Sequence, residues 1–74
     1  MIKKRDFFLF GNYVGRLIGV GAGGSGFLTV SWLHIPKGAL PLRLPIQARE
    51  QMEPIPKDVA YNLVEVLKRN ERSE

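Results

Sequence analysis

The chain contains no cysteine and only one histidine, His34, among its 74 residues. Without cysteine it has no disulfide bond and no thiolate metal site, and one histidine excludes a metal site built from several imidazoles of a single chain. A chain of this length forms one domain, close to the smallest size that folds alone. Its stability therefore comes from side-chain packing or from a second subunit. The lack of cysteine is compatible with the cytoplasm, where we expect the protein to reside.

The sequence also lacks the features that accompany a glycine-rich nucleotide-binding loop. Residues 19–26 contain the pattern GxGxxG twice. In a dinucleotide-binding fold such glycines open a helix, and an acidic residue follows about twenty positions later. Here β-branched residues and then Pro36 follow the run, and no acidic residue lies at 41–45. The run therefore predicts a flexible hairpin loop with its turn at 22–26, and no cofactor.

Patterns that would support catalysis are equally scarce. There is no cysteine nucleophile, and Ser25, Ser31 and Ser73 have no base and orienting group placed in a recognisable pattern. Glu50 and Glu53 lie in a polar segment, where carboxylates are usually solvated. We predict that the chain is not an enzyme and holds no metal, while a homo-oligomer that assembles a site from several copies stays open.

Positive charge is in moderate excess, with 11 Lys and Arg against 7 Asp and Glu and a net charge of +4. Basic residues cluster at 3–5 and 68–72, and the others are dispersed. The excess favours nucleic acid or an acidic protein surface as the partner. It equally fits a surface charged for solubility, and both interpretations stay open.

Two segments have some features of membrane-directed sequences. Residues 3–9 resemble a twin-arginine export signal, but Lys4 replaces the first arginine, and Asn12 and Arg16 interrupt the apolar region. Residues 17–33 carry no charge and have the minimum length of a membrane span. Their glycine cluster favours a loop between two strands. We expect neither export nor a membrane span.

Apolar patterning predicts a mainly β chain, with a basic tail at 1–5, a β meander at 6–47 and a loop at 48–57. Strands are expected at 7–10, 13–20 and 27–35, with a tight turn at 11–12. On the third strand one face carries Leu28, Val30, Trp32 and His34, and we expect its first three residues in the core. Residues 40–46 also alternate, and their two prolines confine them to a sheet edge or to an extended polyproline-like strand.

The last segment, 58–70, is a helix or the final strand, and the helix is favoured. Val59, Leu63, Val66 and Leu67 form an apolar stripe at helical spacing. Asp58 is placed to cap its N-terminus. The alternation within 63–67 keeps the strand interpretation open.

Taken in order, a bent hairpin, a glycine-rich loop, a tryptophan-bearing strand, an edge strand and a proline-containing turn resemble an SH3-like small barrel. Residues 54–61 are similar to the proline-then-tyrosine passage before the last strand of such domains. The resemblance implies a small SH3-like barrel, or an antiparallel meander with a C-terminal helix. Such barrels are generic binding scaffolds, so no functional residue carries over.

Aromatic residues interleaved with basic ones predict a small non-enzymatic binding module associated with nucleic acid. The candidate contact residues are Tyr13, Arg16, His34, Lys37 and Arg43, with Tyr13 expected to be the exposed aromatic and Trp32 a core residue. The alternative is an accessory or assembly subunit, which binds a protein partner or self-associates through the apolar run at 7–10, the apolar edge at 40–46 with Leu40, Leu42 and Leu44, or the apolar face of the C-terminal helix.

Overall fold

A computed structural model describes residues 1–21 and 26–72 of the chain. In order they form β1 (Phe7–Phe10), β2 (Tyr13–Val20), β3 (Leu28–His34), a 3-10 helix (Ile46–Gln51), β4 (Glu53–Ile55) and α1 (Lys57–Arg72). The four strands make one sheet in the order β3-β2-β1-β4, and every neighbouring pair is antiparallel. The prediction of a mainly β chain with a C-terminal helix is confirmed at this level. Most of the predicted turn at 22–26 lies outside the described residues.

The sheet has a hydrophobic core on each face, because its strands alternate apolar side chains between the two sides. The first core contains Phe8 and Leu17 from the sheet, with Leu44 and Met52 from the segment that follows β3. The second core lies between the sheet and α1, where Val14 packs against helix residues, and Ala60 and Val64 are the buried ones. A sheet covered on both sides in this way buries a core despite the short chain.

An irregularity in β3 moves His34 to the face opposite the one that simple alternation predicts. Trp32 pairs with Gly15, whereas His34 pairs with Val14, so Leu33 is an extra residue in the ladder. Because residues paired across a ladder share a face, His34 lies with Val14 on the side of α1. Leu28, Val30 and Trp32 pack on the first core as predicted.

The predicted edge strand at 40–46 does not form. Only one bridge joins this segment to the sheet, between Phe27 and Pro45. The edge position on the other side belongs to β4, in the segment predicted as a loop, and β4 pairs with β1. Pro41 and Pro45 lack the N–H donors that a regular ladder uses, which explains why the pairing stops after a single bridge.

The connection from Pro45 to β4 links the two edges of the sheet. Pro45 lies beside the start of β3, and the 3-10 helix leads directly to Glu53 on the far edge. No ladder closes the gap between β3 and β4 among the described residues, so the sheet is not a closed barrel.

The first five residues, predicted as a basic tail, are packed against the sheet. Ile2 is fully buried in the first core, and Arg49 Nη2 donates a hydrogen bond to its carbonyl oxygen at 2.8 Å. The Arg5 N–H donates to the Leu17 carbonyl at 2.7 Å. One apolar side chain is enough to anchor the segment. The sequence did not predict this, because the three basic residues that follow Ile2 are typical of a solvated tail.

The C-terminal helix α1 follows its apolar stripe and runs obliquely across the sheet. Near its start the ring of Tyr61 lies 6.0 Å from that of Phe7, and at its end Glu71 reaches β3. The helix begins at Lys57, so Asp58 lies inside the first turn instead of capping it. There its charge still interacts favourably with the helix dipole. No helix in the described part of the chain is long and apolar enough to cross a membrane.

Candidate functional site

The structure separates the five predicted nucleic-acid contact residues into three places. Arg16 and Arg43 lie on the outer side of the sheet, beside α1. Tyr13 lies on the face of the first core. His34 and Lys37 both lie next to the last turn of α1. A single surface that uses all five residues is therefore not available.

Tyr13 is a packing residue in this fold, not the exposed aromatic that the sequence indicated. Its ring centroid lies 5.3 Å from that of Trp32, and its hydroxyl donates a 3.0 Å hydrogen bond to the Leu40 carbonyl. Trp32 in turn meets Phe8 edge-on at 5.6 Å. The ring of Tyr13 thus packs on Trp32 while its hydroxyl ties the 40–46 segment to the sheet.

His34 and Lys37 are joined by one carboxylate, that of Glu71 near the end of α1. The Lys37 backbone N–H donates to Glu71 Oε1 at 2.9 Å. His34 Nε2 lies 3.3 Å from the same oxygen, but its geometry is too poor for a hydrogen bond, and the atom is otherwise buried without a partner. This arrangement fastens the last helical turn to the end of β3, which is a structural role.

Arg16 is held in the middle of the sheet by two contacts. Its guanidinium carbon lies over the Phe7 ring, 5.2 Å from the centroid. Its Nε–H donates a 3.0 Å hydrogen bond to the carbonyl of Arg5. Phe7 is the residue opposite Arg16 on β1, so the cation–π contact is a cross-strand pair. Fixed in this way, the arginine side chain loses little further freedom on binding a ligand.

Arg43 makes the same kind of contact at the edge of the sheet. Its guanidinium carbon lies 4.1 Å from the centroid of the Phe27 ring, which it covers. Leu42 and Leu44, on either side of Arg43, pack on the first core, so Arg43 points outward. The bridge between Phe27 and Pro45 brings the two segments together.

Both arginines lie on one continuous part of the sheet. Leu28, Val30 and Trp32 face the first core, so alternation along β3 puts Phe27, Thr29 and Ser31 on the opposite side. Arg16 shares that side, because it pairs directly with Ser31. We call this patch the β2–β3 surface, and its members are Phe7, Arg16, Phe27, Thr29, Ser31 and Arg43.

The helix α1 meets the β2–β3 surface at Phe7, whose ring lies 6.0 Å from that of Tyr61. Its core otherwise contains Leu9, Val14 and Leu33, which lie toward the other end of the strands. Thr29 and Ser31 are exposed. Ser31 lies four positions after Phe27, a distance of about 13 Å at the usual rise of a strand. The result is a shallow platform with an arginine over an aromatic ring at each end and small hydroxyl side chains between them.

The electrostatics of the β2–β3 surface are positive. Among the residues that the structure describes, neither Arg16 nor Arg43 forms an ion pair. Asp6 is next to Phe7, and its carboxylate accepts a 2.9 Å hydrogen bond from the Lys3 N–H, whereas Glu50, Glu53 and Asp58 lie in or beside β4, the edge of the sheet farthest from β3. Uncompensated guanidinium groups on an uncovered sheet face are suited to phosphate oxygens.

A second basic region surrounds the end of α1. Lys37, Lys68 and Arg72 line a shallow groove together with Glu71. Arg69 lies on the same turn and is 3.9 Å from Glu65, in a highly exposed pair. Cations at the C-terminus of a helix also offset its dipole, so this region has a sufficient structural explanation.

The predicted apolar docking edge is largely internal. Leu44 is only 6% exposed, and Leu42 is partly buried against the first core, whereas Leu40 is 79% exposed. The period-two pattern of the segment correctly separated its two sides, but the leucine side turns inward. Only Leu40 remains accessible to a partner.

Phe7 and Phe27 complete the candidate site, and the sequence did not assign them to it. Phe7 belongs to an apolar run that predicts only a strand, and its pairing with Arg16 follows from the register of the hairpin. A two-residue turn at 11–12 fixes the register of the hairpin, so the pairing of Phe7 with Arg16 could have been predicted from it. Phe27 was noted as an aromatic near basic residues, but its contact with Arg43 joins segments that are distant in sequence.

Comparisons with known proteins do not assign a function to this site. No family model matches the chain, and neither the curated proteins nor the solved structures contain a significant match. Within residues 1–21 and 26–72, no three side chains of the metal-ligating types lie together. The case for function therefore rests on the geometry of the β2–β3 surface.

Proposed function

We propose that the protein is a small, non-enzymatic, cytoplasmic binding module that holds nucleic acid on the β2–β3 surface. The observation that carries this proposal is that Arg16 and Arg43 each lie over an aromatic ring on the same side of the sheet and, among the described residues, neither forms an ion pair. Positively charged sheet surfaces with interleaved aromatic residues suit a nucleic-acid backbone.

The proposal includes an SH3-like barrel as the scaffold, with its fourth strand reduced to the bridge at Pro45. In support of it, the 3-10 helix connects that bridge directly to β4, which returns to β1.

The experiment is a salt titration of oligonucleotide binding, followed by fluorescence anisotropy with labelled single-stranded and duplex DNA. For single strands, the logarithm of affinity falls with the logarithm of salt concentration with a slope of about −0.7 per phosphate contact. We expect Arg16→Ala and Arg43→Ala each to weaken binding and to reduce that slope by about 0.7. Lys57→Ala removes the same charge beside β4 and is the matched control.

Two outcomes contradict this function. If both arginine variants bind as the unmodified protein does, the β2–β3 surface is not the site. If Arg72→Ala shows the reduced affinity and slope instead, the basic region at the end of α1 binds the nucleic acid. Circular dichroism of each variant confirms that the fold is retained.

A second candidate function is assembly with a protein partner through the outer side of α1. Val59 and Val66 are 38% and 48% exposed and lie seven residues apart, so they share one helix face. Light scattering of the purified chain tests self-association through this face, with Val66→Ser as the variant expected to abolish it. Salt-sensitive nucleic-acid binding by a monomer would contradict this alternative.

A further inference from the structure

The way in which the two arginines are held exposes a second binding feature besides their charge. A guanidinium group is planar, and its edge carries the N–H donors that bind phosphate. The guanidinium carbon of Arg43 lies 4.1 Å from the centroid of the Phe27 ring, so the ring occupies one side of the group. Arg43 is exposed, which leaves the side away from the ring accessible to a ligand.

Nucleic-acid bases stack on guanidinium planes as they do on aromatic rings. A base placed on the outer plane of Arg43 would complete a stack of ring, guanidinium and base. The ring beneath holds the plane in position before the ligand arrives, which reduces the entropy lost on binding. Arg16 is half-buried, with its guanidinium carbon 5.2 Å from the centroid of the Phe7 ring and its Nε–H bonded to the Arg5 carbonyl, and it is the second candidate for such a contact.

We propose that the β2–β3 surface selects single-stranded nucleic acid, with unpaired bases stacked on the outer planes of Arg43 and Arg16. This inference rests on the proposed function and specifies its ligand. In a duplex the faces of the bases are covered by their neighbours, so the arginines would reach phosphates only. A single strand offers both the phosphates and the exposed base faces.

The surface between the two arginines is compatible with this ligand. Thr29 and Ser31 are exposed and small, so an extended strand meets no obstacle there. Their hydroxyls both donate and accept hydrogen bonds. In an extended single strand the phosphates lie farther apart than the rise of about 3.4 Å in a duplex, so the distance of about 13 Å accommodates fewer than four nucleotides.

The test compares two labelled probes that carry equal charge, an oligothymidylate of eight nucleotides and an eight-unit abasic strand with the same phosphates. Both are titrated with the full chain by fluorescence anisotropy at physiological salt. We expect the thymidine strand to bind at least about fivefold more tightly, the lower limit of what one stacked base contributes. An unlabelled duplex of equal phosphate content should compete less well than the thymidine strand.

The decisive variant is Arg43→Lys, which keeps the charge and removes the planar group. We expect it to reduce the preference for thymidine over the abasic strand, and the double variant Arg16→Lys and Arg43→Lys to abolish it. Arg72→Lys makes the same change at the end of α1 and should leave the preference unaltered. Arg43 is exposed, so we expect the variant to fold, and circular dichroism verifies this.

The results separate this inference from the function on which it rests. Equal affinity for the two probes, or a preference that survives the double variant, overturns base stacking and leaves charge-based nucleic-acid binding intact. Failure of both probes to bind at physiological salt overturns the proposed function as well. A preference for thymidine that disappears only in the lysine variants of the β2–β3 surface supports the inference.

Discussion

Replacing Gly15 with alanine should destabilise the protein, because a methyl group at this position has no room. A Cβ built on Gly15 would lie 3.0 Å from Trp32 Cε3, 3.0 Å from Val30 Cγ1 and 3.1 Å from Phe8 Cζ. These three neighbours belong to three side chains of the first core. Each would have to move by several tenths of an ångström to reach an ordinary contact distance.

The magnitude follows from two opposing effects. Adding a methyl group to a well-packed core destabilises by about 1–3 kcal/mol. Gly15 does not have a positive φ, so alanine fits its backbone and recovers about 0.4–1 kcal/mol by restricting the unfolded chain. The neighbours cannot relax easily, because Val30 is β-branched and the rings of Phe8 and Trp32 already meet edge-on. We therefore expect a net loss of about 1–2 kcal/mol in the free energy of unfolding.

The assay is urea denaturation, monitored by circular dichroism and by the fluorescence of Trp32. Gly19→Ala is the matched control, since the nearest atoms to its Cβ belong to Thr29 at 3.8 Å and 3.9 Å, an ordinary contact. We expect the control to be neutral or slightly stabilised. A Gly15→Ala variant that is as stable as Gly19→Ala would refute the packing argument.

Three further predictions address contacts that the sequence did not reveal. Ile2→Ala removes a fully buried side chain and should lower the free energy of unfolding by about 2–5 kcal/mol, seen as a lower melting temperature. An unchanged melting temperature would mean that the N-terminal segment is a free tail. Tyr13→Phe removes the hydrogen bond to the Leu40 carbonyl and should destabilise by about 0.5–1.5 kcal/mol in urea, with the ring packing retained. Glu71→Ala removes the carboxylate beside His34 and should lower the free energy of unfolding by about 1 kcal/mol. It should also accelerate amide hydrogen exchange in the last turn of α1. Unchanged exchange there would contradict the role of Glu71 in holding that turn against β3.

Local sequence patterns were sufficient to predict the strands and the helix that form from alternating or helically spaced apolar residues. The alternation at 13–20 and 27–35 predicts β2 and β3, and the helical stripe at 59–67 predicts α1. The same reasoning did not locate the edge strand within 40–56. Two prolines and an alternating leucine pattern predict an edge strand or an extended polyproline-like strand at 40–46 and a loop at 48–57, but the ladder forms at Glu53–Ile55. Edge pairing depends on which segment reaches β1, and the residues of a single short segment do not predict whether it will pair there.

The sequence predicted individual residues of the candidate site but not which of them lie together. Arg16 and Arg43 were identified as candidates from charge near aromatic residues, but so were Tyr13, His34 and Lys37. Tyr13 packs against Trp32 and bonds to the Leu40 carbonyl, whereas the extra residue in β3 turns His34 toward α1. An irregularity of one residue reverses the side on which every later side chain lies.

From the sequence alone came the class of the protein: one small domain without cysteine, mainly β with a C-terminal helix and a net charge of +4. Those properties follow from composition and from periodicities within single elements, which act over a few residues. Tertiary structure decided which edge β4 occupies, that Ile2 is anchored, and that Arg16 and Arg43 share one uncovered face with Phe7 and Phe27. These outcomes depend on strand register and on contacts between segments far apart in the chain, which only the folded sheet brings together.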